Sequence, residues 1–324
     1  MKRRTLLGSI GLVAAADAAR AQGPEYPTRP VTIIVAFPPG GQADVVGRPA
    51  AAALERIWRV AVPIQNRGGA AGAIGNASVA RATPDGYTLL MGLSSLTYLP
   101  EAARVNGREP TYTPDQLIPV ALFAADPTVL VVPAASPIRT IEEFLDDVRR
   151  RPGQVSYSSA GNYSALHLPM AMLSQAAGLD MLHVPFQGGG PALTALLGGQ
   201  VGCLASGPGP VAPHVRAGTL RPLASWGRTR LAGFEEVPTL IEKGFAEVEF
   251  YIWVGLFAPA GTPEPVLARI REAARAVAGD AEFRRVMAAS GNTLDHRDGE
   301  AFLRFYREDS ARLIRVVQRL GRIE

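Results

Sequence analysis

Two spacings alternate along this chain. Val31-Thr32-Ile33-Ile34-Val35-Ala36-Phe37 is a β-branched apolar run closed by Pro38-Pro39-Gly40-Gly41, which predicts a buried strand ending in a glycine-rich turn. Asp44 to Trp58 then places its apolar residues at helical spacing. Val62 to Asn66 reads as a short strand. Arg67 to Gly75 is a glycine-alanine loop entering a helix that reaches Arg81, and Tyr87 to Leu93 is another apolar strand. Strand, helix, strand, helix, strand predicts a mostly parallel sheet with helices on both faces.

The pattern then restarts. Val120 to Val132 is a long apolar stretch ending at Pro133, and Ile141 to Arg150 is an amphipathic helix with Thr140 as its N-cap. Strands follow at Val155–Ser159, His183–Phe186, Val201–Ala205 and Leu223–Trp226. Helices lie between them at Ser164–Ala177 and Gly190–Leu197, and a third ends at His214–Gly218. This is a second α/β unit. The tail adds a strand over Phe250–Ala258, helices over Pro265–Gly279 and Ala281–Ser290, and a long arginine-rich helix over Glu300–Leu320. Phe302, Leu303, Tyr306, Leu313, Val316 and Val317 give that last helix an apolar stripe to lay across the first unit, with its arginines in solvent.

Composition adds little to this picture, and charge less than it first suggests. The 324 residues are 47% hydrophobic and 19% charged, an ordinary globular balance. The net charge is +4, but residues 1–21 carry Lys2, Arg3, Arg4 and Arg20 against Asp17, so they hold +3 of it. Those residues read as an export signal: a basic start, an apolar run from Leu6 to Ala16, and an Ala19-Arg20-Ala21 cleavage site. The expected mature chain is nearly neutral, periplasmic, and predicts neither a nucleic-acid nor an anionic-membrane partner. The one cysteine, Cys203, reads as a small buried hydrophobe.

The search for reaction chemistry is mostly negative. His167, His183, His214 and His296 have no second His or Cys at metal-ligand spacing, so no metal or cofactor is expected. Ser164 and His167 stand three apart, the one candidate for a nucleophile with a base. His167 reads better as a residue that orients its turn, and no enzyme is expected. What recurs is a strand, a small-residue turn and a helix, at Phe37–Asp44 and again at Ser158–Ser164. Such turns present backbone N–H groups and the positive end of a helix dipole to an anion, and glycine allows close approach. Two of them, one per unit, suggest two half-sites meeting across a cleft.

These residues resemble a known family. Tyr26-Pro27-x-Arg29-Pro30-Val31-x-Ile33-Ile34-Val35-x-Phe37-x-Pro39-Gly40-Gly41-x-x-Asp44 is similar to the opening of the tripartite tricarboxylate transporter substrate-binding proteins, the Bug family. Asn66-Arg67-x-Gly69-Ala70-x-Gly72, Pro84-Asp85-Gly86-Tyr87, Tyr157 to His167, Val184-Pro185-Phe186 and Trp253 to Pro263 match later blocks in order.

The resemblance implies a two-lobe periplasmic-binding-protein fold of type II. Each lobe would hold a mostly parallel sheet flanked by helices, with hinge strands between. Lobe 1 would take residues 22–124 with 227–324, and lobe 2 residues 125–226. It also implies a monomer that captures a small carboxylate and passes it to membrane transporter subunits, or presents it to a sensor. The main-chain amides of Pro39 to Asp44 and of Gly161 to Ser164 should hold the carboxylate, with the Ser158 and Ser164 hydroxyls as further donors. The expected site is Phe37, Pro39, Gly40, Gly41, Gln42, Asp44, Ala70, Ser94, Ser158, Gly161, Asn162, Tyr163, Ser164, Phe186 and Gln187. Tyr163 departs from the small residue common in the family and should narrow the cleft or stack on the ligand.

Overall fold

The computed structural model describes residues 26–323, so the expected export signal lies outside the described residues. The first apolar run becomes β1 (Thr32–Val35), followed by α1 (Gln42–Trp58), β2 (Ile64–Asn66), α2 (Ala73–Ala80), β3 (Thr88–Leu93) and α3 (Leu99–Val105). β1 pairs in parallel with β2 and β3, as the spacing predicts. The helix α3 was not anticipated, because Ser94 to Pro100 offers no amphipathic stripe long enough to announce it.

The long apolar stretch divides into β4 (Leu117–Pro127) and β5 (Val129–Pro133), with Thr128 between them. β4 belongs to the first sheet and β5 to the second, so residues 125–127 remain with the first sheet. The second unit continues with α4 (Ile141–Arg150), β6 (Ser156–Ser159), α5 (Leu168–Ala177), β7 (Leu182–Pro185), α6 (Gly189–Leu197), β8 (Cys203–Ser206), α7 (Pro208–Arg216) and β9 (Leu220–Ser225). Thr140 caps α4 as expected, its hydroxyl accepting from the Glu143 N–H at 3.2 Å. Cys203 is fully buried, which pushes its thiol up well beyond the ordinary range.

The chain then returns to the first sheet as β10 (Tyr251–Pro259). It ends with α8 (Glu264–Gly279), α9 (Ala281–Ala289), β11 (Leu294–Asp298) and α10 (Gly299–Leu320). The first sheet has the order β11-β4-β10-β3-β1-β2 and the second β7-β6-β8-β5-β9. Both are mixed yet mostly parallel in strand direction, as expected: β1 to β4 run together in the first sheet and β6 to β9 in the second. β10 runs antiparallel to β3 and β4, and β5 antiparallel to β8 and β9. The reason is connectivity. β4 leads straight into β5 and β9 returns to β10, so the strand that enters each lobe, β5 or β10, runs against its βαβ strands. The crossings are tied together: the Trp226 N–H donates to Thr128 O at 3.0 Å and the Phe250 N–H to Trp226 O at 2.9 Å.

α10 lies across the first sheet as its stripe predicts. Phe302, Tyr306, Leu313, Val316 and Val317 are buried, and Trp253, Phe257, Phe302 and Tyr306 form one aromatic cluster. Each fully buried side chain of this kind contributes about 1.5–3 kcal/mol. Asp309 locks the arrangement, accepting from Trp253 Nε1 at 2.8 Å while pairing with Arg312 at 2.7 Å.

Candidate ligand-binding cleft

The first-lobe turn follows β1. Phe37 is buried and its ring fills the space beside Gly72, where a Cβ would stand 2.7 Å from Phe37 Cζ. Gly40 takes a φ of +83°, which suits glycine, and Gly41 is the extended N-cap of α1. Asp44 reaches back to this turn. Its carboxylate accepts from the Gly40 N–H at 3.0 Å, from Arg48 Nε at 2.9 Å and from Asn66 Nδ2 at 3.0 Å. Burial works to raise the Asp44 carboxyl, but those hydrogen bonds outweigh it and hold the group below its ordinary range.

Three of the amides assigned to the carboxylate are therefore not free. Pro39 has no N–H, the Gly40 N–H is held by Asp44, and the Asp44 N–H donates to Gly41 O at 3.0 Å. The donors left at this helix end are those of Gly41, Gln42 and Ala43, which have no acceptor within the helix.

The second-lobe turn follows β6 and is held more tightly. Gly161, at φ +110°, donates its N–H to Ser159 Oγ at 3.1 Å. The Tyr163 N–H donates to His167 Nδ1 at 3.0 Å, and the Ser164 N–H to Gly161 O at 3.1 Å. Of the four amides expected to bind here, only that of Asn162 is left. Of the two serine hydroxyls expected as donors, Ser158 Oγ already donates to Ala192 O at 3.0 Å, whereas Ser164 Oγ accepts from the His167 N–H at 3.2 Å and keeps its own proton unengaged.

His167 orients the turn, and its ring does not touch the Ser164 hydroxyl. α5 starts at Leu168, four residues after the expected Ser164, with His167 at its N-cap. Behind it His183 stacks at 4.2 Å between ring centroids and meets Ser159 Oγ at 2.6 Å, a pairing that no local spacing announces. Burial brings His183 down to about 4. Burial together with His183 brings His167 down to about 3, so both rings are neutral at ordinary pH.

The lobes meet through glycine. A Cβ on Gly190 would lie 2.3 Å from Pro39 O, one on Gly188 would lie 2.5 Å from Pro38 Cδ, and Gly41 faces Gly189. Gln42 reaches the same boundary: its Oε1 stands against Gly207 and Gly209 at the start of α7, while its Nε2 donates to Asn292 Oδ1 of its own lobe at 2.6 Å. On the other side Gly161 faces Ala71. Ala70 and Ala71 both hold left-handed backbone, at φ +47° and +56°, a strained pair in the loop that meets lobe 2.

Between these contacts lies a pocket of about 350 Å³. It brings together Ala70, Gly161, Asn162, Tyr163, Phe186 and Gln187 of the expected site, and adds Ala71, Leu99, Ala102, Ala103, Tyr112 and Pro185. Phe186 also borders a shallower groove on the far side of the lobe contact, together with Pro39 and Gly40. Phe37, Gly41, Gln42, Asp44, Ser94, Ser158 and Ser164 line neither space. Ser94 follows β3 directly, fully buried, with a hydroxyl that has no partner. Tyr163 adds its ring to the pocket but turns its hydroxyl away from it. The α3 and Tyr112 wall was missed because nothing local marks it; it faces the cleft only once α3 packs against α10. The run Gly188-Gly189-Gly190 was legible as a helix start, and three glycines in succession also signal close backbone approach.

Among the described residues no helix is long and apolar enough to cross a membrane, and no group of acidic, His or Cys side chains is arranged to hold a metal. The chain is 34% identical over 269 residues to the protein BugT of Bordetella pertussis, covering 82% of each chain. The periplasmic binding protein BugD superposes with a TM-score of 0.85 at 29% identity, over 91% of this chain and 98% of that one. A Rhodopseudomonas palustris protein with adipate matches at 0.84 and 26% identity, over 91% and 98% of the two chains. MatC of the same organism, with bound malate, matches at 0.83 and 30%, over 90% and 100%. Residues 46–322 match the model of the tripartite tricarboxylate transporter family receptor, and the chain belongs to that family.

Proposed function

We propose that this protein is an exported receptor that captures a small carboxylate between its lobes and hands it to a membrane transporter of the tripartite tricarboxylate type. The observation that carries this reading is a pocket between the lobes where the second-lobe turn, with its unengaged Asn162 N–H, faces Ala70 and Ala71 of lobe 1. The unengaged donors of the first-lobe turn, Gly41 to Ala43, start α1 beside the same lobe contact without lining that pocket. Neutral amides at a helix start suit one carboxylate, and lobes that meet through glycine suit a hinge closing on a ligand. The solved relatives with malate and with adipate support the ligand class. Periplasmic placement rests on the export signal read in residues 1–21 and on the likeness to periplasmic binding proteins.

Capture fits better than turnover. Ser164 and His167 are both engaged in holding the turn, and the Ser159–His183 pair is bound to the same turn through the Gly161 N–H. The test is thermal shift and calorimetry of the purified protein against a panel of small carboxylates. Saturable binding with a raised melting temperature is expected; no response to any carboxylate would overturn the reading.

A further inference from the structure

We propose that the preferred ligand is a monocarboxylate with an uncharged, apolar body, rather than a dicarboxylate; this rests on the capture reading above. Two unengaged polar side chains of the pocket stand together at one end. Asn162 and Gln187 follow β6 and β7, which are neighbours in parallel with Ser159 opposite Pro185, so their side chains enter from the same side. The Asn162 N–H is also there, free of the bonds that engage the rest of its turn.

The face that α3 turns to the pocket is mostly carbon. Leu99, Ala102 and Ala103 are apolar, and of the polar residues further along, Asn106 donates its Nδ2 to Ala102 O at 2.7 Å and Thr111 is exposed. The two tyrosines in the lining offer rings and not hydroxyls. Tyr112 donates its hydroxyl to Leu96 O at 2.7 Å and accepts from Asn76 Nδ2 at 3.1 Å. Tyr163 donates to Gly321 O at 2.6 Å. The only charged residues bordering the pocket are Arg108 and Glu109. They are adjacent, opposite in sign and exposed, so the rim carries no net charge toward a bound molecule.

A second carboxylate directed at the α3 face would rest against Leu99, Ala102, Ala103 and the rings of Tyr112 and Tyr163. Burying a charge without a partner is costly, whereas burying methylene or ring carbon is favourable at about 25 cal/mol per Å². The pocket's 350 Å³ gives room for roughly a dozen water-sized atoms, enough for an acid of six or more carbons.

The experiment compares hexanoate with adipate by calorimetry on the purified protein, with benzoate, phenylacetate and malate as further arms. Hexanoate and adipate share a six-carbon chain and differ by one carboxylate. Hexanoate is expected to bind at least tenfold tighter than adipate, and benzoate or phenylacetate tighter than malate. Ala103→Lys, checked for folding by its melting curve, is expected to cancel or reverse the hexanoate preference. Adipate binding as tightly as hexanoate, or an unchanged ratio in folded Ala103→Lys, overturns the inference while leaving capture intact. If no carboxylate in this or a wider panel binds, the capture reading itself fails.

Discussion

The Tyr163 hydroxyl donates a 2.6 Å hydrogen bond to the carbonyl of Gly321 and accepts one of 3.0 Å from the Ile323 N–H. Tyr163 belongs to the second-lobe turn, whereas Gly321 and Ile323 follow α10, which packs on the first sheet. The C-terminal tail thus clasps the far lobe at the residue that also lines the pocket. Tyr163→Phe keeps the ring and removes both bonds. It should cost about 1 kcal/mol of stability. If the clasp helps hold the lobes together, a bound carboxylate should leave several-fold faster. Stopped-flow release alongside a thermal melt checks this; an unchanged release rate would show that the tail plays no part in closure.

Gly190 offers a sharper test of lobe contact. Its backbone is not left-handed, so alanine brings no backbone strain of its own, yet the added Cβ would stand 2.3 Å from Pro39 O on the other lobe. Gly190→Ala should still fold, because the overlap is between lobes and each lobe keeps its own sheet and core, and the lobes part to relieve it. It should also close poorly. Affinity for any carboxylate that binds the wild type should fall more than tenfold, and small-angle scattering with ligand should show a wider particle. Wild-type affinity in this variant would mean that the lobes meet differently around a ligand.

Much of this was legible in advance, and the exceptions have physical causes. The strand from Val31 to Phe37 and its Pro-Pro-Gly-Gly turn are local signals, and they folded as local signals do. The engagement of Gly40 by Asp44, and of Tyr163 by His167, depends on side chains reaching back four residues, which apolar spacing does not record. β11 was missed because Leu294-Asp-His-Arg-Asp is a half-buried edge strand whose polar residues hide the alternation of a buried strand. The antiparallel crossings and the Gly190–Pro39 approach are products of two lobes coming together, and no window of sequence contains both partners.

The stacked histidines set one limb of the pH dependence. His183 is held at about 4 and His167 at about 3, against an ordinary value of about 6.5. The unfolded chain therefore takes up protons first as pH falls, and each ring's contribution, complete above about pH 6.5, is lost progressively toward pH 4 and 3. Melting temperature should decline through that window. His183→Asn should flatten the decline and, by releasing Ser159 Oγ, loosen the Gly161 turn. Melts taken from pH 7 to pH 4 on both proteins decide the matter; identical slopes would remove His183 from the account.

Asp126 should act in the opposite direction. It lies on β4 two residues before the crossing at Thr128, fully buried, with Oδ1 accepting from the Thr293 N–H at 2.9 Å and Oδ2 without a partner. Burial raises its carboxyl to about 7, opposed by the Thr293 hydrogen bonds and assisted by Asp295. A raised carboxyl favours the folded state least when ionised, so stability should fall as pH rises from about 4 to about 7 and level off above. That loss is at most a few kcal/mol. Asp126→Asn keeps an oxygen for Thr293 and removes the charge. It should gain stability over the wild type at pH 8 and lose that advantage at pH 4. Because the histidine limb runs the other way across the same range, denaturant titrations must be compared as differences between variant and parent at each pH. A difference that does not grow between pH 4 and pH 8 would mean that Asp126 ionises at its ordinary value.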